Sequence, residues 1–374
     1  MLLSRPRSSL PLLTRLQPCS LQSYSTDAAA QHPLLQSATQ RTTDHLTFNP
    51  TDKLNATLLS FFPKWAQWYS RGEALPLGYH QIYCNPSPET HTLLPDGTDT
   101  SFSPGEPFTR RMWAGGSLKL NTAASNIMRL DSQKCVCVES VRGVTEKGAG
   151  TDNPKLFVDM ERKFITDNSL TTSAAPLTDD EWRKLGVEDP DWRVQQMHSA
   201  KWHAHEAALV ERRTIVFLKS RPEAELEACR RGEAPPIKYL DRPAEKPDLR
   251  HSLTPTAALL FRFSALTFNA HKIHLDPEYT RNVEGHRNLL VHGPLSLTLM
   301  LTLLQQHLRI MDAREIVASI DYRNLAPLYC DEEMHICVRR RKEKIDMWDV
   351  WIEGPTGGVA VKGTCRTEKV GTTS

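Results

Sequence analysis

The run from Leu289 to Leu304 constrains this chain more than any other segment. A helix over it is apolar on nearly every face, so it must be surrounded by protein and not laid on a surface. It is about long enough to tempt a membrane-spanning reading, but His292, Gly293 and Pro294 interrupt it. It falls short of the roughly 18–20 clean apolar residues a bilayer requires. The spacing therefore predicts a buried helix over 293–310, with Pro294 in the first turn, where its missing N–H costs nothing.

Something must wrap that helix, and the rest of the chain offers strands. Segments that read as strands are 117–120, 135–141, 155–165 and 212–219 in the first half, then 257–263, 314–322, 334–340, 345–353 and 359–367. The last two alternate around the turn Gly354-Pro355-Thr356-Gly357-Gly358, as a hairpin does. In the first half, Leu54, Leu58, Phe61, Phe62, Trp65 and Trp68 recur at helical spacing between Asp44 and Arg71. A short helix is expected over 276–282. Each half thus supplies a helix and several antiparallel strands, which predicts an α+β class built as a duplicated domain. No close internal repeat supports the duplication.

Length and composition agree with a folded protein of two or three domain-sized units: 374 residues, 39% hydrophobic and 24% charged. The 46 Lys+Arg nearly balance 44 Asp+Glu. That leaves no electrostatic footprint for nucleic acid or an anionic membrane. Eight cysteines without a single CxxC pair argue against a disulfide scaffold or structural zinc. P-loop and Rossmann glycine motifs are absent, so no metal or cofactor is expected.

Boundaries follow from composition. Met1–Thr26 holds three Arg, six Ser and seven Leu without Asp, Glu or Lys. Such a segment fits a mitochondrial presequence, and residues 1–40 are read as presequence and tail, which predicts the reducing mitochondrial matrix. Residues 41–220 form the first domain, with a polar, acidic insertion over 167–204. The Pro-, Glu- and Arg-rich stretch 221–250 is read as a linker, and 251–374 as the second domain.

The densest chemistry lies between Phe263 and Asp276, where Asn269, His271 and His274 cluster, with His292 and Gly293 at the start of the apolar helix. A base beside a helix N-terminus, whose free N–H groups and dipole favour negative charge, suits proton chemistry next to a carbonyl. The same histidines can equally be satisfied core or surface groups. A zinc site is weaker, because no third ligand is spaced for it. Trp113 and Arg111 either line a substrate tunnel or form a packed Trp with solvated arginines beside it, Arg110 included. The run Arg339-Arg340-Arg341-Lys342 reads as a solvated turn before a phosphate or carrier contact.

Phe268-Asn269-Ala270-His271-Lys272-Ile273-His274 resembles the hydratase signature Gly-Asp-x-Asn-Pro-Leu-His of the MaoC-like dehydratases. Leu75–His80, Leu94–Asp99, Arg110–Gly116 and Glu211–Phe217 resemble segments of the first domain of their two-domain members, the hydroxyacyl-thioester dehydratase type 2 proteins and the related mesaconyl-CoA hydratases. The likeness covers roughly residues 50–370. It implies a double hot dog, two curved sheets each wrapping a helix, and a hydro-lyase acting on acyl thioesters carried by acyl carrier protein or CoA.

By that resemblance His274 is the general base, Asn269 orients water, and the Gly293 N–H polarises the thioester carbonyl. His271 supplies a second titrating group or, with His292, Trp113 and Arg111, contacts substrate. The chain departs from the signature at Asn269, where the family has Asp, and an amide cannot accept a proton. That leaves a (3R)-hydroxyacyl-thioester dehydratase of mitochondrial fatty acid synthesis, a CoA-ester hydratase of a short branched or dicarboxylic acid, or a non-catalytic thioester-binding protein. Two hot-dog units in one chain can already supply the dimer of single-unit relatives, and a homodimer of the whole chain stays open.

Overall fold

The apolar run forms a 19-residue helix, Gly293–Met311, in the computed structural model, which describes residues 32–122, 127–166, 207–233, 236–312 and 314–369. Every residue from Leu295 to Leu304 is buried, as a helix without a polar face requires. In chain order the elements are β1 (Gln40–His45), α1 (Phe48–Leu58), β2 (Arg110–Leu120), β3 (Lys134–Lys147), β4 (Lys155–Thr166), β5 (Leu209–Leu218) and α2 (Glu223–Arg230). There follow β6 (Leu249–Leu253), α3 (Ala257–Leu266), α4 (Pro277–Asn282), α5 (Gly293–Met311), β7 (Glu315–Asn324), β8 (Met334–Arg340), β9 (Met347–Glu353) and β10 (Val359–Lys369).

The ten strands make one antiparallel sheet in the order β1-β3-β4-β5-β2-β7-β10-β9-β8-β6. Its two halves carry the same order in opposite directions, joined where β2 pairs with β7 over Gly115↔Arg323 to Lys119↔Ser319. This is a double hot dog of α+β class, duplicated in topology as the sequence predicted.

The halves differ in what they wrap. In the second, β7, β8 and β9 close around α5 through Val317, Ile320, Ile336, Val338, Val350 and Ile352, all in one core with the α5 leucines. In the first, the chain between α1 and β2 runs as turns, and its segment 75–83 lies along α5 instead. Gln305 holds the Leu77 N–H (3.1 Å) and carbonyl (3.0 Å), and the Gln306 carbonyl oxygen accepts from Gln67 N (2.7 Å). Gly78 takes φ +99°, and a Cβ built there would crowd Leu301 Cδ1 at 3.3 Å and the Thr298 backbone at 3.4 Å, so glycine suits this approach to α5.

Several expectations need correction. The 44–71 pattern gives a helix only over 48–58: Asp44 belongs to β1, paired with Cys135, and Pro63 follows where the chain leaves helical geometry. Residues 257–263 are helical, not extended. Thr256 caps the helix, its hydroxyl accepting from Leu259 N (3.2 Å), and a short apolar run carries no period that separates helix from strand. The stretch 221–250 carries α2 and the start of β6, is tied down by a Leu240–Val359 bridge, and stacks Tyr239 on Gly354 and Gly358. Arg339, Arg340 and Arg341 are matched by Asp349 and Glu315, so most of that run is paired and not simply solvated. The insertion 167–204 and most of the presequence lie outside the described residues. Among the described residues, no helix is long and apolar enough to cross a membrane.

Candidate active site

The segment after α3 turns sharply. Phe268 takes φ +51°, and Asn269 then folds its side chain back so that Oδ1 accepts from His271 N (3.0 Å). A tight turn over Lys272–His274 follows, and Asp276 caps α4 by accepting from Glu278 N and Tyr279 N (3.0 and 2.9 Å). This local chemistry presents Asn269, His271 and His274 to one cavity of about 400 Å³. Its opposite wall comes from the first half, with Arg111, Trp113, Arg213 and Phe217 among the residues that line it.

His274 is fixed from behind. Its Nδ1 lies 2.8 Å from the Leu290 carbonyl, which can only accept, so Nδ1 carries the hydrogen and Nε2 the lone pair. His292, the residue before α5, stacks on it with ring centroids 3.6 Å apart and holds Ser264 Oγ at 2.8 Å through Nε2. His292 does not line the cavity. It sits behind His274 and supports that ring. Gly293 does line the cavity, and a Cβ there would meet Asn324 Nδ2 and Trp113 Cβ, each at 2.9 Å. The first-turn N–H groups of α5 have no intrahelical partner, so the positive end of a 19-residue helix opens here.

Trp113 is both wall and packing: its Nε1–H donates to buried Tyr322 (2.7 Å), and the Arg213 guanidinium covers its ring at 4.7 Å. Arg111 lies over Phe217 and donates to the Asp99 carbonyl (3.1 Å). Arg110 is not solvated. It is buried against Glu284 and ties the two halves together.

The sequence reading gave no role to Asp96. This residue, 6% exposed, sits 3.6 Å from His271 Nε2, and Lys272 N donates to its carbonyl (2.8 Å). Turn residues at Pro95, Asp96 and Gly97 signalled a loop; nothing local signalled where that loop docks.

Burial sets the electrostatics. It pushes His274 down to about 4, although the Leu290 carbonyl favours the charged ring. Burial, then His274 and Arg111, holds His271 well below the usual range, and burial, then its two histidine neighbours, does the same to His292. All three rings are therefore neutral bases at neutral pH. A histidine lowered in the fold stabilises it fully above about pH 6.5, and that stability is lost as pH falls. For His274 the loss between pH 6.5 and 4 is about 3 kcal/mol. Urea unfolding from pH 7 to 4 should show a steep decline that His274→Gln flattens by that amount. A difference between the two proteins that does not change with pH would contradict it.

Comparison with known proteins adds an identity to this geometry. The model of the hydroxyacyl-thioester dehydratase type 2 family matches residues 78–199 and 182–330. The chain belongs to that family. Among the relatives of this type 2 dehydratase, Mesaconyl-C(4)-CoA hydratase of Chloroflexus aurantiacus is 27% identical over 292 residues, 78% of this chain and 82% of that one. The mitochondrial hydroxyacyl-thioester dehydratase type 2 of Schizosaccharomyces pombe is 25% identical over 302 residues, 79% and 88% of the two chains. The fold matches a MaoC-like dehydratase from Phytophthora capsici with TM-score 0.54 and 13% identity, covering 90% of this chain and 98% of that one. Membership in the type 2 dehydratases makes the protein a hydro-lyase acting on acyl thioesters.

Proposed function

We propose that this type 2 dehydratase removes water from (3R)-3-hydroxyacyl thioesters on acyl carrier protein, and reversibly hydrates trans-2-enoyl thioesters, in mitochondrial fatty acid synthesis. The observation that carries the reading is His274 Nε2 as a lone-pair nitrogen beside the open N-terminus of α5. With the thioester carbonyl at the Gly293 N–H, His274 takes the α proton, the enolate oxygen is held by that N–H and the helix dipole, and the hydroxyl leaves with the proton returned by His274. Asn269 orients the hydroxyl or water, and Trp113 and Arg111 form the acyl-side wall. The mitochondrial setting rests on the basic, acid-free first 26 residues and on the Schizosaccharomyces pombe relative, which is named as mitochondrial.

The Chloroflexus relative raises a CoA ester of a dicarboxylic acid as a second reading. Of the two arginines lining the cavity, Arg213 is already matched by Glu211 at 2.9 Å and Glu139 at 3.9 Å, which favours the first reading. Arg111, which among the described residues donates only to the Asp99 backbone carbonyl, is the arginine a second substrate carboxylate would meet. The test is turnover of crotonyl-acyl carrier protein, crotonyl-CoA and mesaconyl-CoA by the full chain. A kcat/KM at least about tenfold higher on the carrier protein is expected. Preference for mesaconyl-CoA would transfer the protein to the second reading, and turnover of none would refute the reaction.

A further inference from the structure

We propose that Asp96, from the first half of the chain, is the positioning carboxylate of the reaction centre and acts through His271, filling the place that Asn269 leaves without an acid. The inference rests on the hydro-lyase reading above and adds a group to it.

Asp96 Oδ1 is fixed, accepting from Thr98 N (2.9 Å) and Thr98 Oγ (2.6 Å). Its Oδ2 is buried without a hydrogen-bond partner among the described residues, and so is His271 Nε2, 3.6 Å away. Buried polar groups are nearly always paired, so two orphans facing each other mark a contact that a small closure completes. Hydrogen bonds of this kind are often long before substrate binds and tighten in the complex. The backbone already holds both partners. Lys272 N donates to the Asp96 carbonyl, and Asn269 holds His271 N. Gly97, at φ +84°, has no Cβ, and one built there would sit 2.1 Å from the Ala270 carbonyl oxygen. The two loops are thus locked together across the halves.

The chemistry follows from donor and acceptor roles. A carboxylate only accepts, so Asp96 fixes the hydrogen of His271 on Nε2 and leaves the lone pair on Nδ1. His274 presents its own lone pair at Nε2, and the two rings meet edge-on with centroids 5.6 Å apart. A water that donates one hydrogen to each is held with an oxygen lone pair free for the alkene. In hydration the oxygen bonds to Cβ while one O–H bond breaks toward His274 Nε2. The alkene pair moves onto the thioester oxygen as an enolate, and the imidazolium then returns that proton to Cα. No further reactant is consumed. Asp96 keeps His271 in the tautomer that holds this water, and its charge favours the imidazolium formed beside His271 at His274. The other titratable or charged groups facing His271 are His274, with His292 behind it, and Arg111 from β2.

The experiment compares wild type, Asp96→Asn, His271→Ala, the double variant and His274→Ala on crotonyl thioesters. Asp96→Asn should lower kcat by about 100-fold with KM within a few-fold. It should also move the acid limb of the pH–rate profile to lower pH, because the charge favouring protonation of the ring is gone. The double variant should lose no more than the larger single loss, since both residues act as one unit. Full activity in Asp96→Asn while His274→Ala is inactive, or losses that multiply in the double variant, would overturn the proposal. If Asp96→Asn fails to fold, or if no thioester turns over, the ¹⁵N ring shifts of His271 in the wild-type chain decide. An Nε2–H ring supports the pairing and an Nδ1–H ring refutes it. Loss of the hydro-lyase reading itself shows separately, as an inert wild type or an active His274→Ala.

Discussion

Replacement of His274 by alanine is expected to lower kcat by about two to four orders of magnitude, the usual contribution of a positioned general base. KM should change little, because the groups assigned to hold the thioester carbonyl and the acyl chain, Gly293, Trp113 and Arg111, are untouched. The variant also loses the stack on His292, so thermal unfolding must be followed alongside. His274→Gln, which fills most of the same space, should be as inactive and better folded. Wild-type rates should stay nearly flat from pH 8 down to about 5, since burial keeps the His274 pKa near 4 and the neutral base persists. A well-folded His274→Ala or His274→Gln within tenfold of wild type would remove His274 from the reaction.

The second large effect is on stability, in the first half. Arg162 is 1% exposed; it donates to Glu211 Oε2 (3.1 Å) and the Cys84 carbonyl (2.9 Å) and stands 3.6 Å from Glu139. Glu211 is wholly buried and also meets Arg213 and His80. Breaking a buried ion pair from one side strands the other charge, so Arg162→Met is expected to cost about 3–5 kcal/mol by urea unfolding. Adding Glu211→Gln should recover part of the loss, because the pair is coupled. Burial alone would raise the Glu211 pKa, but Arg213, His80 and Arg162 together hold it well below the usual carboxylate range. Its contribution is present above the ordinary carboxylate range and vanishes only as pH falls through the lower folded value. Additive losses in the double variant would show that the cluster does not act as a network. Gln81 and Arg213 carry this cluster to the cavity wall, so its loss should reach activity as well.

Local signals were legible where one residue type forces one geometry. Met334–Arg340 carried strand character on its own and is β8 as expected. The Asp276-Pro277 pair announced α4, since a capping carboxylate and a proline in the first turn leave few alternatives. Elsewhere locality misled. Ala257–Leu266 has strand-like composition and is a helix, decided by the Thr256 cap and by packing in the main core through Leu259, Leu260 and Phe263. Strand β1 passed unseen because its Thr, Asp and His alternate no apolar face; it exists as an edge paired to β3.

By itself the sequence determined that a helix over 293–310 had to be enclosed, because an element apolar on nearly every face finds no stable place against water. It also determined that Asn269, His271 and His274 would present themselves together, because they share one turn. Only the tertiary structure decided that β2 meets β7, that His292 stands behind His274 and outside the cavity, and that Asp96 faces His271 from 175 positions upstream. Short-range periodicity records which face of an element avoids water. Which loops then meet is decided by closure of the whole sheet around α5, and no window of sequence contains both sides of that contact.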